Sequence, residues 1–409
     1  MSRIKKIVML TQQHKEIILA TVPVLKENGV TLTKHFYTRM FTHHPELKNL
    51  FNMGNQNSGK QQTALAMAVL SYAENISNPG VLMPVIDMIG QKHTSLNIQP
   101  EQYNIVGTHL LASIKEVLQE AATDEILEAW SAAYNQLADI MIGHEQKIYD
   151  TKKEEKGNWL GWRSFIVKSK VEESSEITSF YLKPKDGQTI PEHKPGQYLS
   201  IKVFLPELNL EQIRQYSISS APNGEYYRIS VKRERGAHIQ VEGMISNYLH
   251  DYIFEGSEVE LSSPAGNFVL QENENKKVFI SGGIGQTPLL SMLETLDLNE
   301  KVEHDVVWIH ACRNKEVHAF ADKIKHIESN HSKLSKYQFY DNVEETIADP
   351  SILQGHIDFT KIADWKFDKD AEYYVCGPRI FIEKMVDNLK TNQVKEEQIF
   401  FEEFGPKSL

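Results

Sequence analysis

At 409 residues, with 41% hydrophobic and 24% charged side chains, the chain is too long for one core and has the composition of a soluble multidomain protein. Its 44 basic and 55 acidic residues leave a formal charge of −11, which argues against nucleic acid or anionic lipid as the main partner. Two cysteines, Cys312 and Cys376, exclude a disulfide framework and a cysteine-built zinc site, and no apolar run reaches the roughly 20 residues that span a bilayer.

Met1 to Leu10 hold an apolar run too short for a secretory signal, so a cytoplasmic monomer without stable membrane association is expected. Residues 1–150 read as helices alone. Apolar stripes at three-or-four spacing run Ile18, Val22, Leu25; Leu65, Val69, Tyr72, Ile76; Tyr103, Val106, Leu110, Ile114, Val117; and Ile126, Trp130, Tyr134, Leu137, Met141. Pro23 is expected to interrupt the first helix and Gly29 to cap it, while Pro45, Pro84 and Pro100 mark helix starts.

The charged, aperiodic segment 151–158 reads as a linker. Across 159–271, short strands at Ser164–Val171, Ile177–Leu182, Gln197–Phe204, Ile213–Ser219, Tyr226–Val231 and Glu258–Leu261 suit a small antiparallel barrel. From 272 to 409, strands at Val278–Ser281, Asp305–Ala311, Tyr337–Tyr340, Tyr373–Cys376 and Ile399–Phe401 alternate with helices, which implies a doubly wound parallel sheet. The fold class is therefore multidomain: all-α, then antiparallel barrel, then α/β.

Val85, Ile89 and His93 share one face of the helix opening at Pro84. Glu145 follows Met141 by four on the last apolar stripe, and Tyr103 opens the stripe before it. A carboxylate directed into a core is costly unless a partner receives it, and a histidine whose far nitrogen donates to such a partner is a stronger metal ligand. His43 and His44 are adjacent, point in different directions, and read as surface.

The runs His35–Phe41 (HFYTRMF), Leu50–Met53 (LFNM), Lys92–Ile98 (KHTSLNI) and Glu101–Gly107 (EQYNIVG) resemble the globin half of bacterial flavohaemoglobins. The resemblance implies a haem b whose proximal iron ligand is His93, with Tyr103 and Glu145 as the bonded pair that makes the imidazole electron-rich. It implies Tyr37, Gln61 and Leu65 over the iron, with Phe51 wedging the haem. Lys92 is expected to meet a haem propionate or the flavin domain, and a lipid is carried as a candidate occupant of the distal pocket.

In the barrel, Arg214-Gln215-Tyr216-Ser217 pairs an arginine suited to a pyrophosphate with a tyrosine suited to stacking on a flavin. With Pro195-Gly196-Gln197-Tyr198 before it and Val231-Lys232-Arg233-Glu234 after it, the segment is similar to the FAD barrel of the ferredoxin–NADP reductase superfamily. Gly243 and Ser246-Asn247 would add pyrophosphate contacts at a helix start. The loop Gly236–Glu242 leaves the register of those donors open. Next, Gly282-Gly283-Ile284-Gly285-Gln286-Thr287-Pro288 follows an apolar strand and opens a helix, where a pyrophosphate can approach backbone N–H groups. The resemblance adds Cys376 beside the nicotinamide and Phe401-Glu402-Glu403-Phe404, ahead of Gly405-Pro406, with Phe404 against the flavin. NADH and NADPH stay open: Arg313 could meet a 2′-phosphate or be an ordinary loop arginine, and family habit favours NADH.

The resemblance covers residues 9–409 and implies a nitric oxide dioxygenase that converts NO and O2 to nitrate, with electrons passed from NAD(P)H through FAD to haem. Met1–Val8 precede the usual start, so Met9 is the expected initiator. Alternatives are a haem and flavin reductase of alkyl hydroperoxides or soluble acceptors, and an O2- or NO-binding sensor. An electron-rich histidine is of little use to the last.

Overall fold

The structure is a computed structural model that describes residues 9–234, 243–298, 305–342 and 349–405; the loop Gly236–Glu242, Met1–Val8 and Pro406 lie outside them. Six α-helices come first: α1 (Gln12–His43), α2 (Met53–Asn57), α3 (Lys60–Glu74), α4 (Met83–Ser95), α5 (Pro100–Leu118) and α6 (Asp124–Glu154). Pro100 stands at the first position of α5 and Pro84 at the second of α4, where a missing N–H removes no helical bond.

Two expectations fail in α1. Pro23 does not interrupt it and Gly29 does not cap it; both lie inside one 32-residue helix. Ile18, Leu32, Phe36, Tyr37 and Met40 are buried on both sides of the proline, and burying each such side chain is worth about 1.5–3 kcal/mol, enough to offset one lost backbone bond. α3 crosses α1 at Gly29 and leaves room there: a Cβ on it would meet the Cβ of Ala66 at an ordinary contact distance of 3.4 Å. The expected linker also starts later than its charges indicate, since α6 continues through Glu154 and buries Lys152.

A six-stranded antiparallel sheet follows, of β1 (Arg163–Glu172), β2 (Ile177–Pro184), β3 (Tyr198–Leu205), β4 (Leu210–Ser217), β5 (Tyr227–Lys232) and, after helix α7 (Met244–Tyr252), β6 (Glu258–Leu261). Its order is β4-β3-β6-β1-β2-β5, and an Ile218–Ile229 bridge joins the two outer strands into a barrel. Phe165, Phe180, Leu199, Ile201, Tyr227 and Val231 fill its interior.

The third region contains β7 (Lys277–Gly282), α8 (Gln286–Leu298), β8 (Val306–Cys312), α9 (Ala321–Asn330), β9 (Leu334–Tyr340), β10 (Ile352–Gln354), β11 (Glu372–Gly377), α10 (Arg379–Thr391) and β12 (Ile399–Glu403). These strands pair in parallel in the order β10-β9-β8-β7-β11-β12. The three-residue edge strand β10 carries no period readable in the sequence. Strand order reverses between β7 and β11, and a crevice opens at such a switch point above the carboxyl ends of the strands. Barrel and sheet are clamped by a buried Arg228–Glu294 ion pair at 2.8 Å and by His193, which contacts the Ser220 carbonyl at 3.0 Å and Ser291 Oγ at 3.3 Å. Barrel and helices meet where Gln212 Nε2 donates to the Lys48 carbonyl at 2.9 Å and the Glu211 N–H donates to Asn49 Oδ1 at 2.9 Å.

Candidate functional site

His93, Tyr103 and Glu145 come from three helices and meet at one point. His93 Nδ1 lies 2.7 Å from Glu145 Oε1 and 3.0 Å from the Tyr103 hydroxyl, which donates to the same Oε1 at 2.5 Å. Burial first, and then the Glu145 charge, push the Tyr103 pKa up, so its proton stays on the phenol. The Glu145 side chain is 4% exposed and therefore needs both donors. Tyr103 is itself held by Tyr134, which donates to its carbonyl at 2.6 Å. With Nδ1–H turned toward Glu145, the Nε2 lone pair of His93 remains for a metal. Among the described residues no group of three or more His, Cys, Asp or Glu stands ready to hold a metal ion, so His93 is a single-ligand donor. This donor set fits haem iron. The Val85, Ile89, His93 stripe is half-buried, and the fully buried face of α4 is Ile86, Gly90 and Thr94.

On the distal side Tyr37 is buried, and burial raises its pKa, while the side chains of Gln61 and Gln56 hydrogen-bond its hydroxyl. Its ring packs edge-on against Phe51 at 5.6 Å and stacks on Phe41 at 5.8 Å. Leu65 is half-buried one turn beyond Gln61 on α3. Gln56 had no signal in the sequence. It is buried beside Gln62, whose Nε2 donates to its Oε1 at 2.9 Å, and only the fold of α2 against α3 brings it to Tyr37.

In the barrel, β3 and β4 pair Tyr198 with Ser217, Ser200 with Gln215 and Ile201 with Arg214. Burial lowers the Arg214 pKa to about 10; the nearby Tyr216 works weakly the other way, and among the described residues no carboxylate pairs with the guanidinium. A buried cation without a counter-charge fits an anion such as the FAD pyrophosphate. Tyr198 and Tyr216 are also raised by burial, Tyr198 in the field of Glu402 and Tyr216 in that of Arg214. Gly243 stands at the start of α7 with φ 80, where a Cβ would crowd the Glu234 carbonyl. The Ser246 hydroxyl donates to the Gly243 carbonyl at 2.8 Å and accepts the Glu234 N–H at 3.2 Å. The hydroxyl thus braces the turn into α7, whose third residue is Ser246 itself.

The glycine-rich turn Gly283–Gly285 joins β7 to α8. Gly283 adopts φ 55, and a Cβ on Gly285 would collide with the Cys376 carbonyl. Thr287 caps the turn by donating to the Ile284 carbonyl at 3.0 Å. Gln286 is 1% exposed and both its amide atoms lack a partner among the described residues; Pro288 is buried beside it. Strand β12 places Glu402 beside Cys376 and Glu403 beside Gly377, so the turn, the cysteine and the Phe401–Phe404 segment share one end of the sheet. Phe401 and Phe404 are exposed there, at 47% and 44%, as open faces for a planar ring. Arg313 forms an ion pair with Glu176.

The globin family profile matches residues 34–141, the oxidoreductase FAD-binding domain residues 164–270, and the oxidoreductase NAD-binding domain residues 279–387. A flavohemoprotein of Rhizobium meliloti (strain 1021) is 47% identical over 97% of this chain and 99% of its own. One from Bacillus subtilis (strain 168) is 43% identical over 98% of both. Among solved structures, the flavohemoglobin of Malassezia yamatoensis with bound FAD and heme aligns with a TM-score of 0.85 at 25% identity, covering 97% of this chain and all of its own. The FAD/NAD-binding part of the nitric oxide dioxygenase of Vibrio cholerae O1 biovar El Tor covers 60% of this chain and 99% of its own, at 36% identity and a TM-score of 0.54. The chain is an NAD(P)H-linked oxidoreductase that binds haem, FAD and a nicotinamide cofactor and passes electrons to its haem. With helical, barrel and parallel-sheet regions matched in order over nearly its whole length, this chain belongs to the flavohemoprotein family.

Proposed function

We propose that this protein is a nitric oxide dioxygenase in which NO, O2 and one electron yield nitrate. The observation that carries this reading is the Glu145 carboxylate 2.7 Å from His93 Nδ1. A hydrogen bond of that kind makes the imidazole electron-rich, which favours oxygen chemistry over reversible storage. When bound, the haem supplies one-electron chemistry and the FAD converts a hydride into single electrons.

The chain's own residues do the rest. His93 offers Nε2 to the iron, and Glu145 and Tyr103 hold the proton on Nδ1. Tyr37, kept protonated by its burial, donates a hydrogen bond to dioxygen, with Gln61 and Gln56 orienting the hydroxyl. Phe51 and Leu65 keep water from the distal side. Arg214 neutralises the FAD pyrophosphate, Tyr216 and Tyr198 border the flavin, and Gln215 and Ser217 line strand β4 beside it. The Gly283–Pro288 turn receives the nicotinamide cofactor's pyrophosphate at the start of α8. Cys376, Phe401, Glu402, Glu403 and Phe404 border the place where nicotinamide and flavin meet.

The test is an NO-electrode trace on haem- and FAD-loaded protein in aerated buffer, started with NADH. Rapid NO loss that needs both NADH and O2, with nitrate accumulating, establishes the reading. Slow NO loss beside brisk NADH oxidation overturns it in favour of a reductase of hydroperoxides or soluble acceptors.

A further inference from the structure

Helix α4 carries His93 on one face and a polar stripe, Asp87, Gln91 and Ser95, at four-residue spacing on another. All three stripe residues meet the flavin barrel. Asp87 Oδ2 accepts the Asn267 amide while its Oδ1 lies 2.6 Å from His144 Nε2. Gln91 Oε1 accepts the Gly266 N–H at 3.3 Å, and Ser95 Oγ accepts the Ser200 hydroxyl at 3.0 Å. Gly266 in turn lies flat against Tyr198, where a Cβ would sit 2.8 Å from the ring, and the Tyr198 hydroxyl is hydrogen-bonded to Ser95.

The Ser200–Ser95 contact is one link of a chain that runs in a single direction. Gln215 Nε2 donates to Ser200 Oγ at 3.2 Å, Ser200 donates to Ser95 Oγ at 3.0 Å, and Ser95 donates to the Lys92 carbonyl at 2.7 Å. Ser95 and Ser200 are both 0% exposed, so water does not compete, and each bond polarises the next. The chain ends on the peptide that precedes His93. That carbonyl already accepts the Leu96 N–H at 3.1 Å, and a second donor from a serine hydroxyl bends the helix turn it acts on. A shift of β3 or β4 is thus passed to the turn that sets the direction of His93.

We propose that Ser95 is a positioning residue that couples FAD occupancy on β3 and β4 to the orientation of His93. The proposal rests on Tyr198 and Gln215 bordering the flavin, and it is tested without NO or turnover, so failure of the dioxygenase reading would leave it untouched. The readout is the iron–histidine stretching line in the resonance Raman spectrum of ferrous, ligand-free protein, taken with haem alone and with haem plus FAD. FAD should shift the line in the parent chain. Ser95→Ala should abolish the shift, Ser95→Thr should restore it, and Ser200→Ala, which cuts the chain from the barrel side, should also abolish it. Coupling is reciprocal, so haem should tighten FAD binding about fivefold or more in the parent and not in Ser95→Ala. A line that ignores FAD in the parent, or a Ser95→Ala shift as large as the parent's, would overturn the proposal.

Discussion

In the helical region, His93 and Tyr103, 52 and 42 residues from Glu145, converge on its single oxygen Oε1 at 2.7 and 2.5 Å. At the end of the parallel sheet, the candidate nicotinamide site is made mostly of backbone: Gly283 with φ 55, Gly285 pressed on the Cys376 carbonyl, and the first turn of α8. The two candidate sites are built from different materials. A side-chain site should degrade in steps as single hydrogen bonds are removed. A backbone site should fail at once when an atom is added where none fits.

Gly285→Ala puts that contrast to its hardest test. Its Cβ would overlap the Cys376 carbonyl, and overpacking of this kind costs up to about 3 kcal/mol, or roughly a 100-fold loss of NADH affinity if it falls on binding. Stopped-flow reduction of the bound FAD by NADH measures it. Unchanged reduction would mean that the turn is not rigid.

Acid should separate the two halves of the chain nearly as strongly. Burial lowers the pKa of His193 and His318 to about 4 and that of His310 well below its ordinary value. These rings are neutral in the folded reductase half, whereas the unfolded chain takes up protons below about 6.5. Stability is therefore complete above pH 6.5 and falls as pH drops toward 4, by up to about 3 kcal/mol per histidine. FAD release, followed by fluorescence, should begin at higher pH than haem loss followed by Soret absorbance; the reverse order would sink the argument.

Removing Arg214 should act on the flavin alone. Arg214→Ala deletes a charge-assisted contact worth about 1.5–3 kcal/mol, so the FAD Kd should rise by roughly 10- to 150-fold. Because the guanidinium is buried without a counter-charge among the described residues, the FAD-free variant should be no less stable than the parent in urea. A destabilised apoprotein would show that Arg214 has a structural partner instead.

On the haem side, Glu145→Gln should weaken haem retention or turnover by about 10- to 100-fold, and Tyr103→Phe by less, since Glu145 then keeps His93 as a donor. Transfer of haem to an acceptor globin reads this out, and equal effects from the two changes would contradict the graded behaviour of a side-chain site. The smallest effect is expected at Gly29. A Cβ there makes only an ordinary 3.4 Å contact with Ala66, so Gly29→Ala should stabilise α1 by about 0.5–1 kcal/mol, seen as a rise in Tm.

Much of this arrangement was legible in the residues. Local period separated helices from strands and strands from alternating strand and helix, because side-chain spacing reports which face is buried. Turn chemistry placed Pro84, Pro100 and the Gly282–Pro288 junction correctly. It misjudged Pro23 and Gly29, because the gain that keeps α1 continuous comes from packing against α3, α5 and α6, distant in sequence. A motif could nominate His93, Tyr103 and Glu145, but their shared geometry exists only once three helices cross.

Gln56, Ser95 and Ser200 mark the limit of reading along the chain. Nothing in a glutamine or a serine signals a ligand or a relay, since a hydroxyl or an amide acquires its role from whatever lies within about 3 Å. The sequence by itself determined the element types and the order of the three regions, because those depend on local period, and its motif resemblance nominated candidate residues for iron, phosphate and flavin. Tertiary structure alone decided that Gln56 reaches Tyr37 and that α4 touches the flavin barrel at three successive turns. Those contacts join segments up to 180 residues apart, and no local spacing encodes them.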